Sequence, residues 1–115
     1  MLNQQRPESM QQLLCLLNDL PDGEGRGFDI DHHALLAIRR GDRVYVYRNN
    51  CPHRGIRLEW QPDQFLDYEK QYIQCATHGA LFTIEQGECI AGPCPGELLA
   101  AIRCEVDEGR VMIEL

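Results

Sequence analysis

Short stretches in which apolar and polar residues alternate fill most of this chain, and clusters of turn residues separate them. Residues 34–48 carry the pattern most clearly, and they predict a hairpin that turns at Gly41 and Asp42. Successive side chains on a strand point to opposite faces. The second strand should therefore place two valines on one face and two tyrosines on the other: Val44, Val46, Tyr45 and Tyr47.

Three later segments have the same signature. Residues 71–74 predict a strand, residues 80–89 a hairpin that turns at Gly87, and residues 98–115 a last hairpin with its turn at 107–109. Little room remains after residue 28 for a helix longer than a turn or two. The pattern therefore predicts an all-β antiparallel sandwich over residues 28–115.

The first part of the chain has a different period. Ser9 and Gln12 form a capping-box pattern, and Pro21 and Gly23 supply a stop. Apolar residues recur at helical spacing between them: Met10, Leu13, Leu14, Leu17 and Leu20. This predicts a short amphipathic helix over residues 10–19, so that residues 1–27 are an N-terminal helix and linker. The helix should pack on its own domain, with docking onto a second subunit as the alternative.

Size and charge narrow the range of functions. A chain of 115 residues with 43% apolar and 25% charged residues is typical of one soluble globular domain. The net charge of −7 argues against a nucleic-acid surface and favours an electropositive protein partner. No apolar run approaches the roughly 20 residues of a membrane span, and the first residues lack a secretory signal. We therefore expect a cytoplasmic protein.

Six cysteines in a chain expected in a reducing compartment favour metal ligation over disulfides. Two of them stand beside histidines, in the pairs Cys51-x-His53 and Cys75-x2-His78. Both pairs lie on loops that the hairpin pattern places at strand ends. The other four cysteines fit no pattern with a histidine and should be small buried or half-buried thiols: Cys15, Cys89, Cys94 and Cys104.

Small and stiff residues surround these pairs. Gly55 and Gly79 follow the two histidines, and Pro52 stiffens the first loop. Farther on, the segment GPCPG at 92–96 combines prolines and glycines, so it cannot lie inside a sheet.

The two-part ligand pattern resembles the signature of Rieske iron–sulfur proteins, in which C-x-H and C-x2-H lie on two facing loops. The resemblance covers roughly residues 28–115, and GPCP at 92–95 resembles the loop that covers the cluster in this family. It implies a β-sandwich with a small cluster-binding subdomain and a [2Fe-2S] cluster. Cys51 and Cys75 would hold the inner iron, and His53 and His78 the outer one. The residues expected to shield the cluster are Pro52, Gly55, Gly79, Ala80, Phe82, Gly92, Pro93 and Pro95.

The chain departs from the high-potential members of that family. Ile56 and Thr77 stand where those proteins have a pair of disulfide-forming cysteines. Ala80 and Phe82 replace a serine and a tyrosine that donate hydrogen bonds to the cluster sulfur and a ligand sulfur. With both donors gone, the resemblance implies a reduction potential below about 0 mV.

Among short Rieske chains, the resemblance implies a ferredoxin, a one-electron carrier between a flavin-containing reductase and a terminal oxygenase or other oxidoreductase. The sequence contains no nucleotide-binding glycine fingerprint and no mononuclear iron triad. We therefore do not expect the chain to catalyse a reaction alone. Arg54 and Arg57 flank His53, where they either contact an acidic partner or remain solvated. Two alternatives stay open, a small subunit of a larger oxidoreductase similar to nitrite reductase, and a binding module stabilised by structural zinc.

Overall fold

The structure is a computed structural model that describes residues 11–50, 57–58, 63–76, 79–93 and 95–115. Within these ranges the chain forms strands and one 3₁₀ turn, and no helix there is long and apolar enough to cross a membrane. The elements are β1 (Gln11–Leu16), the 3₁₀ turn (Leu17–Asp19), β2 (Gly25–Ile30), β3 (His33–Arg40), β4 (Arg43–Arg48), β5 (Tyr72–Gln74), β6 (Leu81–Thr83), β7 (Cys89–Ala91), β8 (Ala101–Asp107) and β9 (Arg110–Glu114).

The strands form two antiparallel sheets. The large sheet has six strands in the order β1-β9-β8-β4-β3-β2, and the small sheet has three in the order β5-β6-β7. Along the chain, the small sheet and the segments that carry the Cys–His pairs come after β4 and before β8. The predicted all-β antiparallel fold is confirmed, and so are its hairpins: β3 pairs with β4, β6 with β7, and β8 with β9.

Two apolar cores lie on opposite faces of β3 and β4. The inter-sheet core joins the large sheet to the small one, and the basal core lies between strands of the large sheet and Leu20, which follows the 3₁₀ turn. As predicted, Val44 and Val46 lie in the basal core, whereas Tyr47 lies in the inter-sheet core and Tyr45 packs against it. Because both faces of β3 are covered, its apolar residues run without interruption instead of alternating with polar ones.

The predicted helix over residues 10–19 is wrong. Residues 11–16 form β1, which pairs with β9 at the edge of the large sheet, and only Leu17–Asp19 take a helical turn. A bulge between Leu13 and Cys15 adjusts the register, so that Cys15 is buried in the basal core while Leu13 stays about half exposed. Pairing with the open edge of β9 satisfies the backbone of this segment, and that gain overrides its weak helical preference. The idea of a docking helix loses its basis, and the boundary predicted between residues 27 and 28 falls inside β2.

Candidate metal centre

The structure describes one of the four predicted ligands, Cys75. Cys75 follows β5 directly, and its side chain is fully buried in the inter-sheet core. Several predicted site residues lie outside the described ranges: Cys51, Pro52, His53, Arg54, Gly55, Ile56, Thr77, His78 and Cys94. Among the residues that are described, no group of three His, Cys, Asp or Glu side chains could hold a metal ion.

The second loop, residues 75–80, turns tightly between β5 and β6. The Cys75 N–H donates to the Ala80 carbonyl at 2.9 Å, and the Gly79 N–H donates to the Cys75 carbonyl at 2.7 Å. Gly79 has a φ of 72°, a left-handed conformation that glycine adopts without strain. A Cβ there would meet no described atom within 4 Å, and the left-handed φ by itself favours glycine.

The first loop, residues 50–57, is closed at its base by a side chain. Asn49 follows β4 and is 4% exposed, and its Oδ1 accepts a hydrogen bond from the Leu58 N–H at 2.7 Å. Leu58 is itself fully buried in the inter-sheet core. Asn49 is not predicted from the sequence, because nothing there distinguishes it from Asn50, which is exposed.

One backbone hydrogen bond connects the two loops. The Leu58 carbonyl accepts from the N–H of Ala76 at 2.8 Å, one residue after Cys75. A continuous path therefore runs from the Asn49 side chain through Leu58 to Ala76. The ends of both loops are held at a defined separation, which is what four ligands on two loops need in order to meet one metal centre.

The covering loop, residues 92–96, follows β7 and is closed by Cys89 at the start of that strand. The Cys89 N–H donates to the Glu97 carbonyl at 2.8 Å, and the Cys89 carbonyl accepts from the Gly96 N–H at 2.9 Å. This loop contacts the second loop at Gly92, which has a φ of 104° and where a Cβ would lie 2.7 Å from the Ala80 Cα. Only glycine can occupy that position without displacing the second loop.

The predicted shielding residues divide into buried and exposed groups. Ala80 and Phe82 are fully buried, and neither side chain can donate a hydrogen bond. Pro93 and Pro95 are exposed on the covering loop. The apolar side chains therefore lie beneath the loop bases, while the prolines stiffen the outer surface.

Arg57 takes part in an exposed ion pair. Its Nη2 lies 2.9 Å from Asp29 Oδ1, with the two side chains 56% and 66% exposed. A pair as open to water as this one contributes little to stability.

Burial raises the pKa of three described side chains, Tyr47, Cys104 and Cys15. Tyr47 donates from its hydroxyl to the Ile84 carbonyl at 2.6 Å, and burial, followed by the nearby Glu85 charge, raises its pKa to about 12. In the basal core, burial is the largest cause that raises the pKa of Cys104 to about 11, and burial likewise raises the pKa of Cys15. Thiols with a raised pKa stay protonated and unreactive at neutral pH, as expected for buried structural cysteines. Cys94 lies outside the described residues.

Comparison with known proteins agrees with this geometry. The model of the Rieske [2Fe-2S] domain family matches residues 10–106. The chain is 31% identical over 102 residues to the ferredoxin component of the alkene monooxygenase system of Xanthobacter autotrophicus, which covers 87% of this chain and 77% of that protein.

Solved structures share the fold. The ferredoxin of carbazole 1,9a-dioxygenase from Nocardioides aromaticivorans is 26% identical and superposes with a TM-score of 0.75, over 91% of this chain and 97% of that one. A complex of reduced oxygenase and oxidized ferredoxin in carbazole 1,9a-dioxygenase gives a TM-score of 0.72 at 24% identity, over 91% of this chain and 93% of the matched one.

Proposed function

Because this chain belongs to the Rieske [2Fe-2S] domain family, we propose that it is a one-electron carrier that passes electrons from a flavin-containing reductase to a terminal oxygenase or another oxidoreductase. The observation that carries this proposal is its match to ferredoxins along most of their length. The chain covers 97% of the carbazole dioxygenase ferredoxin and 77% of the alkene monooxygenase ferredoxin component.

The residues fit the cofactor of the family. A Rieske cluster takes two thiolates on one iron and two imidazoles on the other, which is the donor set that the two Cys–His pairs supply. The described part of the site supports this fit, since Cys75 is buried at a loop base tied to the other loop. We propose that Cys51 and Cys75 hold one iron and that His53 and His78 hold the other. When bound, such a cluster accepts and releases one electron at a time.

The apolar residues of the inter-sheet core act on this site by excluding water. Leu58, Ala80 and Phe82 are fully buried and belong to the same core as Cys75. They leave one side of the site dry and offer no hydroxyl hydrogen bond to a sulfur. A cluster gains electrons less readily without such donors, so this surrounding favours a low potential.

Charge supports a protein partner. The net charge of −7 favours a partner with an electropositive docking surface, because complementary charge speeds the encounter of two redox proteins. The oxygenase–ferredoxin complex among the structural neighbours supports an oxygenase as the acceptor. We also propose that Arg54 and Arg57, beside His53, contact acidic side chains of the partner, and that the protein is cytoplasmic.

A reconstituted electron-transfer chain tests this function. The protein, purified without oxygen, is mixed with NADH, a flavin-containing ferredoxin reductase and cytochrome c as a surrogate acceptor. We expect cytochrome c reduction that rises in proportion to added protein and that disappears for Cys75→Ala. An intact cluster that the reductase cannot reduce, or that does not reduce the acceptor, would contradict the carrier function.

A further inference from the structure

We propose that Asn49 is a positioning residue that sets the separation of the two ligand loops, through the hydrogen bond that its side-chain oxygen accepts from Leu58. The inference rests on the proposed assignment of Cys51, His53, Cys75 and His78 as cluster ligands. Asn49 touches the loop base and acts on the cluster only through it.

The backbone of Asn49 is fixed to the large sheet. Its N–H donates to the Ala34 carbonyl on β3 at 2.8 Å, and the preceding Arg48 N–H donates to the Ala100 carbonyl at 2.8 Å. The Asn49 side chain therefore extends from an anchored point, two residues before Cys51, and at 4% exposure it has little room to move. An anchored side chain of this kind can fix the distance between Asn49 and Leu58, in addition to filling space in the core.

Leu58, the hydrogen-bond partner of the Asn49 side chain, is also bonded to the second ligand loop. Leu58 gives its N–H to Asn49 and its carbonyl to the Ala76 N–H, at 2.7 and 2.8 Å. Among the hydrogen bonds described above for the two ligand loops, the bond to Asn49 is the one made by a side chain. It is also the one that a substitution can remove while the backbone path stays intact.

The competing interpretation is that Asn49 only stabilises the fold. Tyr47 offers a matched case, since it too is buried and joined by its side chain to the backbone: its hydroxyl donates to the carbonyl of Ile84, in the turn between β6 and β7. Loss of either bond should destabilise the protein, but of these two bonds only that of Asn49 joins the two ends of a ligand loop. The two interpretations therefore differ in what they predict for the cluster.

The test compares four variants of the full chain purified with its cluster. Asn49→Leu keeps the size and removes the acceptor, whereas Asn49→Asp keeps an oxygen in place. Asn50→Leu makes the same chemical change at the exposed neighbour, one residue nearer to Cys51, and Tyr47→Phe removes the matched buried bond. The readouts are the EPR spectrum of the reduced protein, the midpoint potential, and the rate of iron release to a chelator.

We expect Asn49→Leu to release iron about tenfold faster than the wild type and to shift or broaden the EPR signal, as for other residues that orient metal ligands. Asn49→Asp should recover the wild-type EPR signal and release rate, while Asn50→Leu and Tyr47→Phe should stay within about twofold of the wild type in release rate. If Asn49→Leu does not fold, Asn49→Ser, whose shorter side chain cannot span the same distance, should show the same changes.

An Asn49→Leu protein with wild-type EPR signal, potential and release rate would overturn the inference, and so would equal changes in Tyr47→Phe. The measurements need no partner protein. A wild-type chain without a cluster held by two cysteines and two histidines would overturn the proposed function and this inference together. A correct wild-type cluster that is unaffected in Asn49→Leu would overturn the inference alone.

Discussion

The basal core and the ligand loops hold their backbones in different ways. In the basal core, side chains from the strands of the large sheet pack on one another, and ladder pairs join residues 35–40 of β3 to the whole of β4. At the loops, the described links are single hydrogen bonds, such as those at Leu58 and Cys75, and the contact of Gly92 with Ala80. Cysteine shows the same contrast, as Cys104 is an inert thiol among apolar neighbours whereas Cys75 lies where a loop begins.

This difference indicates what each region is built to do. Many small packing contacts make the basal core tolerant of apolar substitutions that keep the volume of a side chain. A site that must bring four ligands to one point depends on a few distances, each set by one bond or one missing side chain. Substitutions should therefore affect the cluster and the global stability separately.

The largest expected effect comes from replacing one cysteine in each of the two regions by alanine. Cys75→Ala should abolish cluster binding, because it removes a thiolate that the other three ligands cannot replace. Cys104→Ala in the basal core should leave the cluster intact and lower only the free energy of unfolding. Visible absorption and iron content, measured side by side, test this. Equal loss of iron in both variants would mean that Cys75 has no special role.

Gly92 should give the next largest effect. In Gly92→Ala the new Cβ would collide with the Ala80 Cα and would also be strained by the φ of 104°, with a cost of about 1–3 kcal/mol for the strain alone. Gly96→Ala is the matched control, since its φ is also left-handed at 84° and no described atom lies within 4 Å of its Cβ. The Gly92 variant should lose its cluster faster on heating. Identical losses would show that close approach of the two loops is unimportant.

Tyr47 should produce a moderate effect that depends on pH. Its pKa is raised in the folded state to about 12 from an ordinary value of about 10, so its contribution to stability is complete below pH 10 and is lost as the pH rises toward 12. Tyr47→Phe should lower the free energy of unfolding by about 1–3 kcal/mol at neutral pH. The difference between wild type and variant should shrink in alkali, as measured by urea unfolding at several pH values. A difference that is constant up to pH 12 would contradict the burial argument.

The smallest effect concerns the potential. Ala80→Ser should restore one hydroxyl donor, and a hydrogen bond of about 1 kcal/mol corresponds to a rise of roughly 40 mV for a one-electron couple. The starting potential should lie below about 0 mV. Ala76→Ser, at an exposed position of the same loop, should leave the potential unchanged. A redox titration decides, and a wild-type midpoint above roughly +150 mV would contradict the low-potential prediction.

The sequence was most informative where contacts are local. Alternation and turn residues were enough to predict the hairpin of β3 and β4 and the faces of Val44 and Tyr47, because strand periodicity and turn geometry are properties of neighbouring residues. The same reasoning failed for residues 10–19. Their partner strand, β9, lies about a hundred residues farther along the chain, and no local pattern reports on it.

The residues of the candidate site also differ in how far the sequence predicts them. The Cys–His pairs could be recognised because the ligand types and their spacing are written in consecutive residues. Asn49 could not, because its hydrogen bond depends on Leu58 folding back beside it, and the bond from Leu58 onward depends on Ala76 in the loop after β5. Residues that position a site through contacts with segments distant in sequence can be identified only from the structure.

EPR spectroscopy of the dithionite-reduced protein, together with iron and sulfide counts, tests the central claim most directly. A [2Fe-2S] cluster held by Cys51, His53, Cys75 and His78 predicts two irons and two sulfides per chain and the low average g-value of mixed cysteine and histidine ligation. A colourless protein with one zinc would contradict the account, and so would a cluster with the signal of four cysteine ligands.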